Sequence, residues 1–415
     1  MTVAVSVVSA GCAGAGGTPS AAPAGSVTAA PVAPSAVATS MQAPSRSGVP
    51  SPAVPSPVTP AASASASPDV QALLDDERTS YGAPGALAVL REGGRRTAAT
   101  SGTADTAGTP ITDTTRFRIA SITKPIVATL GLDAVARGRL SLDDTVADLL
   151  PGVVRATPPI TVRQILDHTS GVFDEGNDGD PVADIARLTD PVMRAEAQAI
   201  AQQALAGEHV IAPGRLLVAL AETHDRYFAP GTSFHYSNMN YQLAAMVIEK
   251  VTGRTLADLL RTRFVEPLGL THTTIAPPDT ASPEFRGYGT SATDGTLVDM
   301  TDSLVFFGNG GNGGIISTAD ELLTIMQAIV SGRLLPPALV ADMKTPAKSD
   351  YGMGLATYHL SCGTFYGHEG GVNGTGSIAI VSSDGADGVV AALNLRSAGD
   401  PQLPALADRI LCGSR

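Results

Sequence analysis

A serine and a lysine three positions apart form the first pair in this chain whose types and spacing suit catalysis. Ser121 and Lys124 lie in the segment 117–125, where a helical conformation would place both side chains on one face. In the first helical turn, Ser121 would also lie at the positive end of the helix dipole, which stabilises an oxyanion. A neutral Lys124 in a water-poor cleft can accept the serine proton. The pair therefore predicts a nucleophilic serine activated by a lysine base.

The rarity of lysine in this chain supports that hypothesis. The chain has 27 lysines and arginines together, and its only lysines are Lys124, Lys250, Lys344 and Lys348. A buried lysine can lose its proton, whereas an arginine effectively stays charged. The S-x-x-K spacing is nevertheless common on solvated helix surfaces, so the hypothesis requires support from other residues.

A tyrosine and an asparagine at 236–238 would complete such a site. The segment reads Tyr-Ser-Asn, follows a Pro-Gly turn and precedes a helix that we expect to begin near Tyr241. Tyr236 would move a proton between the serine and the leaving group, and Asn238 would bind a substrate carbonyl. An isolated tyrosine of this kind is equally compatible with packing at a helix start.

A histidine and three glycines at 366–371 supply the third cluster, just before a predicted strand. His368 would donate a hydrogen bond toward the leaving group or a substrate carboxylate. The glycines would let a backbone N–H approach the reacting carbonyl closely. The alternative is a glycine-rich turn with a surface histidine. A metal role for His368 is disfavoured because no second His or Cys stands at ligand spacing, and we expect no cofactor.

Periodicity indicates which elements position these residues. The predicted helices cover 70–77, 121–137, 162–166, 192–205, 241–251, 255–264 and 404–411, and the predicted strands cover 85–89, 95–101, 352–358, 376–381 and 388–395. This order favours a mixed α/β (α+β) fold, with an antiparallel sheet built from both chain ends, flanking helices and an inserted helical lobe. A cleft between sheet and lobe is the expected place for the site.

Composition excludes several classes of function. The chain has 415 residues, a formal net charge of −12 and 43% hydrophobic residues. The acidic balance argues against a nucleic-acid partner, because phosphate binding needs a basic face. No apolar run approaches the roughly 20 residues that span a bilayer. We expect a soluble fold region that acts as a monomer on a small peptide or ester.

The N-terminal composition predicts export. Cys12 follows an apolar stretch and resembles a lipoprotein processing site, although Ser9 stands where Leu is usual and no basic residue precedes it. We interpret 1–12 as a truncated signal or lipobox-like segment, 13–68 as a disordered Ala/Pro/Ser-rich linker and 69–415 as the hydrolase domain. The expected location is extracytoplasmic, either secreted or tethered through Cys12 to the outer face of the membrane. In an exported protein Cys362 and Cys412 would pair; two buried thiols are the alternative.

In combination, the ordered segments S-x-x-K, Y-x-N and H-x-G resemble the penicillin-recognising serine hydrolases, the superfamily of serine β-lactamases and DD-peptidases. Within that superfamily the chain resembles the secreted actinomycete D-alanyl-D-alanine carboxypeptidases, over about residues 69–413. The resemblance includes the stretches 160–171, 264–270, 313–318, 360–363 and 411–413. In that family the cysteines of the last two stretches are disulfide-linked.

The resemblance implies a two-step acyl transfer through an acyl-serine. It implies the β-lactamase/transpeptidase-like fold and catalysis by Ser121, Lys124, Tyr236 and His368, the last at a position that is Lys in class C β-lactamases. We assign substrate binding to Asn238, Gly371, Glu369 and Phe307. The backbone N–H groups of Ser121 and Gly371 would form the oxyanion hole.

The third segment departs from the carboxypeptidase pattern. It reads His-Glu-Gly-Gly where those enzymes read His-Thr-Gly-Thr, whose hydroxyls hold the substrate carboxylate, and 355–359 lacks the arginine that assists there. If Glu369 faces the cleft it would repel a carboxylate; the alternative is that it faces solvent. Further acids follow the His-Thr-Ser-Gly segment, namely Asp174, Glu175, Asp178 and Asp180. A hydrated acidic loop is the simpler interpretation of that group.

These observations leave several functions open. The first is a D-Ala-D-Ala carboxypeptidase or related D-peptidase that acts on peptidoglycan stem peptides and is acylated by β-lactams. The second is an esterase, amidase or aminopeptidase that prefers neutral or cationic acyl donors. A β-lactamase is less favoured because His368 replaces the usual lysine. From another class, a tethered penicillin-binding sensor with little turnover remains an alternative.

Overall fold

The structure is a computed structural model that describes residues 68–205, 212–275, 283–291, 293–301, 310–372, 374–396 and 402–413. Cys12, Phe307, the predicted segment 1–12 and all but the last residue of the predicted linker 13–68 lie outside the described residues. Among the described residues, no helix is long and apolar enough to cross a membrane.

The principal sheet has six antiparallel strands and is assembled from both ends of the fold region. The strands are β1 (Gly85–Glu92), β2 (Arg95–Gly102), β3 (Phe117–Arg118), β4 (Thr274–Ile275), β5 (Tyr288–Thr290), β6 (Leu297–Asp299), β7 (Ile315–Ser317), β8 (Ala356–Leu360), β9 (Gly363–Val372), β10 (Thr375–Ser382) and β11 (Gly388–Leu393). The order of the principal sheet is β2-β1-β11-β10-β9-β8. Two smaller sheets have the orders β3-β7-β4 and β5-β6. The predicted sheet is confirmed.

Helices cover both faces of that sheet. The helices are α1 (Pro68–Tyr81), α2 (Thr123–Ala136), α3 (Val146–Leu149), α4 (Val162–Leu166), α5 (Pro181–Arg187), α6 (Pro191–Leu205), α7 (Gly214–Ala221), α8 (Asn238–Thr252), α9 (Leu256–Leu260), α10 (Glu266–Leu268), α11 (Ala319–Val330), α12 (Pro337–Lys344) and α13 (Leu403–Cys412). A π-helical segment, Arg261–Val265, joins α9 to α10.

Alternation along the central strands explains the layers. In β10, Ile378 and Ile380 pack with α1 and α13, whereas Ala379 and Val381 pack with α2, α8 and α11. Successive strand side chains point to opposite faces, so a strand with apolar side chains on both faces must be covered on both sides. Helices α5, α6 and α7 share a separate small core that includes Leu188, which is the predicted helical lobe.

The helix predicted over 121–137 is confirmed as α2, although Ser121 itself lies in a preceding 3₁₀ turn, Ala120–Ile122. The segment 366–371, expected just before a strand, lies inside β9, so the alternative of a glycine-rich turn is wrong. Its glycines serve close packing: a Cβ at Gly367 would lie 2.0 Å from the carbonyl oxygen of Ala379.

Cys362 and Cys412 form a disulfide with a Cα–Cα distance of 5.3 Å, as predicted. Cys362 lies in the β8–β9 turn and Cys412 is the last residue of α13. The bond therefore ties the edge hairpin that includes β9 to the helix packed on the back of the sheet.

Candidate active site

Ser121 lies on a strained turn between β3 and α2. The residue before it, Ala120, has φ +47°, in a region that non-glycine residues seldom occupy. The turn is anchored where the Ile119 N–H donates to the Ile315 carbonyl of β7, at 3.1 Å. Ser121 is half-buried, whereas its neighbours Ala120 and Ile122 are buried. Strain of this kind is retained where the surroundings over-determine it, and here it holds the Ser121 hydroxyl beside Lys124 Nζ.

Lys124 is fully buried, and three oxygens surround its Nζ. They are Ser121 Oγ at 2.8 Å, Asn238 Oδ1 at 2.9 Å and the Asn312 carbonyl at 3.1 Å. The amide and peptide oxygens can only accept, so they take two N–H groups of the amine. In the neutral amine this leaves the nitrogen lone pair directed at the serine hydroxyl, which is the geometry a general base requires.

Asp174 determines the orientation of the Asn238 amide. Asn238 Nδ2 donates to Asp174 Oδ2 at 3.2 Å, which turns Oδ1 toward Lys124. The Asp174 carboxylate also accepts from Asn177 Nδ2 at 2.6 Å and from the Gly176 N–H at 3.2 Å. Because the carboxylate is held by its own loop, it positions Asn238, which in turn positions Lys124.

The pKa of Lys124 is lowered to about 7. Burial is the dominant cause, because desolvation disfavours the ammonium form. The negative charge of Asp174 opposes this effect and keeps the pKa from falling further. A pKa near neutrality leaves an appreciable fraction of Lys124 as the free base at physiological pH.

Tyr236 lies over the base and is backed by a buried histidine. Its ring centroid is 4.7 Å from Lys124 Nζ and 4.4 Å from the centroid of His168. His168 Nδ1 accepts from the Ser237 N–H at 3.2 Å and from Asn240 Nδ2 at 3.1 Å. Burial holds the pKa of His168 well below its usual value, so the ring is neutral. The His-Thr-Ser-Gly segment thus positions the Tyr-Ser-Asn segment.

His368 lies beside Tyr236, with ring centroids 5.9 Å apart, and is bound on both nitrogens. Nδ1 donates to the carbonyl of Glu369, and Nε2 is 3.0 Å from the hydroxyl of Tyr351. Burial lowers the pKa of His368 to about 3, helped by the nearby charge of Lys124. A neutral ring that donates through Nδ1 accepts the Tyr351 proton at Nε2. His368 could donate a hydrogen bond to a substrate, as predicted, only after its hydrogen bond with the Tyr351 hydroxyl is broken.

Two consecutive glycines bring β9 against the serine turn. A Cβ at Gly370 would lie 2.3 Å from the carbonyl oxygen of Ile119. Within the described residues, β8 pairs with the first half of β9, up to Gly367, and leaves the outer edge of the second half without a strand partner. This half of β9 carries the backbone of Gly371, the residue predicted to complete the oxyanion hole with Ser121. That assignment stays a prediction.

Glu369 projects from the face of β9 opposite to His368. It is exposed, and its Oε1 accepts from the Tyr358 hydroxyl at 3.3 Å. Strand alternation places it on the same face as Phe365, which packs with α1 and α13. Its predicted contact with substrate stays a prediction, as does that of Phe307, which lies outside the described residues.

Comparison with known proteins identifies the family. A model of the beta-lactamase family matches residues 70–411 of this chain. The chain belongs to the beta-lactamase family. It is a serine hydrolase of that fold.

Relatives of this hydrolase are penicillin-binding proteins and D-aminopeptidases. It is 28% identical over 348 residues to penicillin-binding protein 4 of Amycolatopsis lactamdurans, which covers 78% of this chain and 83% of that protein. It is also 28% identical over 300 residues to a D-aminopeptidase of Brucella anthropi, which covers 71% of this chain and 52% of the relative. The chain therefore spans about half the length of that D-aminopeptidase.

Solved structures of D-specific amide hydrolases superpose on this hydrolase. A D-stereospecific amidohydrolase from a Streptomyces species matches with a TM-score of 0.67 and 34% identity, over 84% of this chain and 99% of the other. The D-amino acid amidase of Ochrobactrum anthropi SV3, complexed with L-phenylalanine amide, matches with a TM-score of 0.68 and 26% identity, over 83% and 96%.

Sequence reasoning missed several residues of this hydrolase's site. Tyr351, Asp174 as a positioning residue, His168 and the Asn312 carbonyl act through contacts that join distant parts of the chain. One available signal was the Tyr-Gly-Met-Gly stretch at 351–354. Gly354 has φ +77°, and a Cβ there would lie 2.9 Å from both the Lys124 carbonyl and the Tyr241 hydroxyl.

The pH dependence of this hydrolase should follow Lys124. Protonated Lys124 cannot accept the serine proton, so kcat/KM should fall about tenfold per pH unit below a pKa of about 7 and level off above it. The measurement is kcat/KM against pH with a neutral activated ester, whose own charge does not change. Circular dichroism over the same range checks that the fold persists. A flat profile from about pH 5.5 to pH 8 would contradict a base with this pKa.

Proposed function

We propose that this hydrolase cleaves the amide bond of D-amino acid amides and short D-peptides that carry a free α-amino group. The observation that carries the proposal is an acidic wall formed by two exposed carboxylates, Asp178 and Asp180, on the loop 174–180 beside the Tyr-Ser-Asn segment. Residues 164–186 contain no lysine or arginine, and Arg187, which follows them, is paired with Asp184. An acidic wall on a cleft attracts a cationic substrate and disfavours an anionic one.

Asp178 is the member of this wall best placed to meet a substrate. Its side chain is 39% exposed, and its Oδ2 lies 3.4 Å from Nε2 of His235, which immediately precedes Tyr236. The Tyr227 hydroxyl donates to the same carboxylate and fixes it. A substrate ammonium near Tyr236 would therefore meet a carboxylate that is already oriented, which lowers the cost of binding.

The relatives support the stereochemistry and the bond type. Two of the similar structures are a D-stereospecific amidohydrolase and a D-amino acid amidase, and one of the relatives is a D-aminopeptidase. In the proposed reaction, Ser121 Oγ attacks the carbonyl carbon while its proton passes to Lys124. The leaving amine takes a proton through Tyr236, and water then hydrolyses the acyl-serine, restoring the hydroxyl.

A D-Ala-D-Ala carboxypeptidase is the second candidate, because an arginine lies against the third segment. A Cβ at Gly371 would lie 2.0 Å from Nη1 of Arg396, so that guanidinium occupies the space over the glycine. Residues 355–359 contain no arginine, so Arg396 would instead supply the positive charge that binds a substrate carboxylate. The similarity to penicillin-binding protein 4 supports the same candidate.

One preparation assayed with three substrates distinguishes the candidates. They are D-alanine amide, its N-acetylated form, and a D-Ala-D-Ala peptide with a blocked amine. The proposal expects the free amine to give the highest kcat/KM, with a loss of at least about 100-fold (about 2.7 kcal/mol) on acetylation. Faster D-Ala release from the blocked peptide would instead establish the carboxypeptidase. In that case Arg396→Gln should selectively raise KM for the peptide.

Removal of the negative charge of Asp178 tests whether the acidic wall recognises the substrate amine. Asp178→Asn should reduce the preference for the free amine over the acetylated amide by about tenfold or more. Asp225→Asn is the matched control, since Asp225 is fully exposed and near Arg155. An unchanged preference in Asp178→Asn would remove this residue from substrate recognition.

We also propose that the domain works outside the cytoplasm. The Cys362–Cys412 disulfide supports an oxidising compartment. Mass spectrometry of the mature N-terminus in the native host would show whether Cys12 carries lipid.

A further inference from the structure

A second cluster of ionisable side chains lies beside the active-site loop and takes no part in the chemistry described above. It comprises Glu175, next to Asp174 in sequence, Asp184 of α5 and His224, three residues after α7 ends. One ligand-type atom from each lies within 4.8 Å of the others. The Nε2 atom of His224 is 2.8 Å from Asp184 Oδ1. Three separate parts of the chain therefore converge on one point.

The buried carboxyl group of Glu175 is the observation that indicates a bound cation in this cluster. The Glu175 side chain is buried, with the residue 4% exposed, and no N–H or O–H group of the described residues donates to either carboxylate oxygen. The Glu175 carboxyl group instead faces that of Asp184 at hydrogen-bond distance. Two buried carboxyl groups so placed must share a proton or bind a cation, and a metal ion satisfies both. The loop closes tightly on this group, because a Cβ at Gly179 would lie 2.7 Å from Glu175 Oε2.

The other two side chains are held in place by groups outside the cluster. The ring of His224 stacks on Phe173, with centroids 3.9 Å apart and planes 8° apart. Asp184 is 1% exposed, and its Oδ2 accepts from the Asp180 N–H at 2.9 Å, which leaves Oδ1 facing His224. Ligands whose orientation is fixed in advance by such outer contacts are typical of protein metal sites.

We propose that Glu175, Asp184 and His224 bind a divalent transition-metal ion, with Zn²⁺ as the best fit. One imidazole and two carboxylates match a zinc site that keeps a fourth position for water. The imidazole disfavours Ca²⁺ and Mg²⁺, which prefer oxygen ligands. The two carboxylate charges balance the charge of the ion. Tetrahedral ligands of zinc lie about 3.3 Å apart, so the three groups need only small movements to bind it.

Arg187 is the competing cation. Its Nη1 lies 3.0 Å from Asp184 Oδ1 and 3.1 Å from His224 Nε2. The Arg187 side chain is 52% exposed, so an ion that displaces the guanidinium sends it into solvent rather than into another buried place. Occupancy by the metal and contact with Arg187 are therefore mutually exclusive.

Metal binding here would act on structure. The ion would join α5 and the chain after α7 to the loop whose Asp174 orients Asn238. It does not contact Ser121 or Lys124, so this inference is independent of the proposed substrate and is tested without an activity assay.

The test titrates Zn²⁺ into the full chain after removal of metals with a chelator, followed by calorimetry and by zinc content after desalting. The wild type should bind one equivalent. Glu175→Gln and His224→Gln should each weaken binding at least about 100-fold, since losing even an outer-shell partner costs about 10–100-fold. Arg187→Ala should tighten binding, because the competing cation is gone.

Matched controls lie away from the cluster. Glu196→Gln removes a carboxylate paired with Arg215, and His359→Gln removes an exposed histidine near Asp350. Both should bind zinc as the wild type does. Melting temperatures in chelator verify that each variant folds; Glu175→Gln preserves the shape of the side chain. Absence of stoichiometric zinc in the wild type, or unchanged affinity in both Glu175→Gln and His224→Gln, would overturn the proposal.

Discussion

Ser121→Ala should abolish hydrolysis and covalent labelling by a fluorescent penicillin. The substitution removes only the hydroxyl group, whose oxygen lies 2.8 Å from Lys124 Nζ on a strained turn that packs against β9. Without it no acyl-enzyme forms, so kcat should fall by at least about 10⁴-fold. The measurements are gel fluorescence after incubation with the penicillin and kcat for an activated ester.

Ser331→Ala provides the control for that result. Ser331 is exposed at the C-terminal end of α11 and should label and turn over as the wild type does. Because Ser121 is half-buried, its methyl replacement should leave the melting temperature nearly unchanged. Penicillin labelling that survives in Ser121→Ala would show that another residue is the nucleophile.

Lys124→Arg should lower the acylation rate by about 10²–10⁴-fold, which is the usual contribution of a positioned general base to the rate. The guanidinium stays protonated, and each of its nitrogens is a hydrogen-bond donor, so it cannot accept the proton of Ser121. It is also larger than the amine in a fully buried place bounded by Asn238 and Asn312. Stopped-flow acylation by a chromogenic cephalosporin measures the effect.

Lys124→Met separates the loss of the base from the strain of a larger side chain. It preserves chain length and apolar packing and removes the nitrogen, so acylation should be equally slow while the fold is kept. Lys250→Arg, at an exposed position on α8, should behave as the wild type. Acylation near the wild-type rate in both Lys124 variants would reject Lys124 as the base.

The order of the elements and the Ser-Lys pair were predictable because both are local. Apolar residues stand at successive positions in β10 and β11, and this pattern predicts strands that are buried on both faces. The interval between Ser121 and Lys124 is one helical turn, so their proximity follows from backbone geometry. The cysteine pairing was likewise predicted from cysteine number and family resemblance.

The position of the segment 366–371 relative to its strand was not predictable, because glycine serves two purposes. At 366–371 it allows close packing inside a strand, and no local pattern distinguishes that use from a turn. The distinction rests on which backbone approaches, which for Gly370 is that of Ile119, far away in sequence.

By itself, the sequence determined which residues are candidates for the chemistry: a serine, a lysine, a tyrosine and a histidine in a specific order. Only the tertiary structure decided their states. Burial lowers the pKa of Lys124 to about 7, and the hydrogen bond between Asp174 and Asn238 orients the amide that binds Lys124 beside Ser121. The reason is physical: the protonation and orientation of a side chain depend on its desolvation and on partners tens of residues away. The spacing of neighbouring residues in the sequence reveals neither.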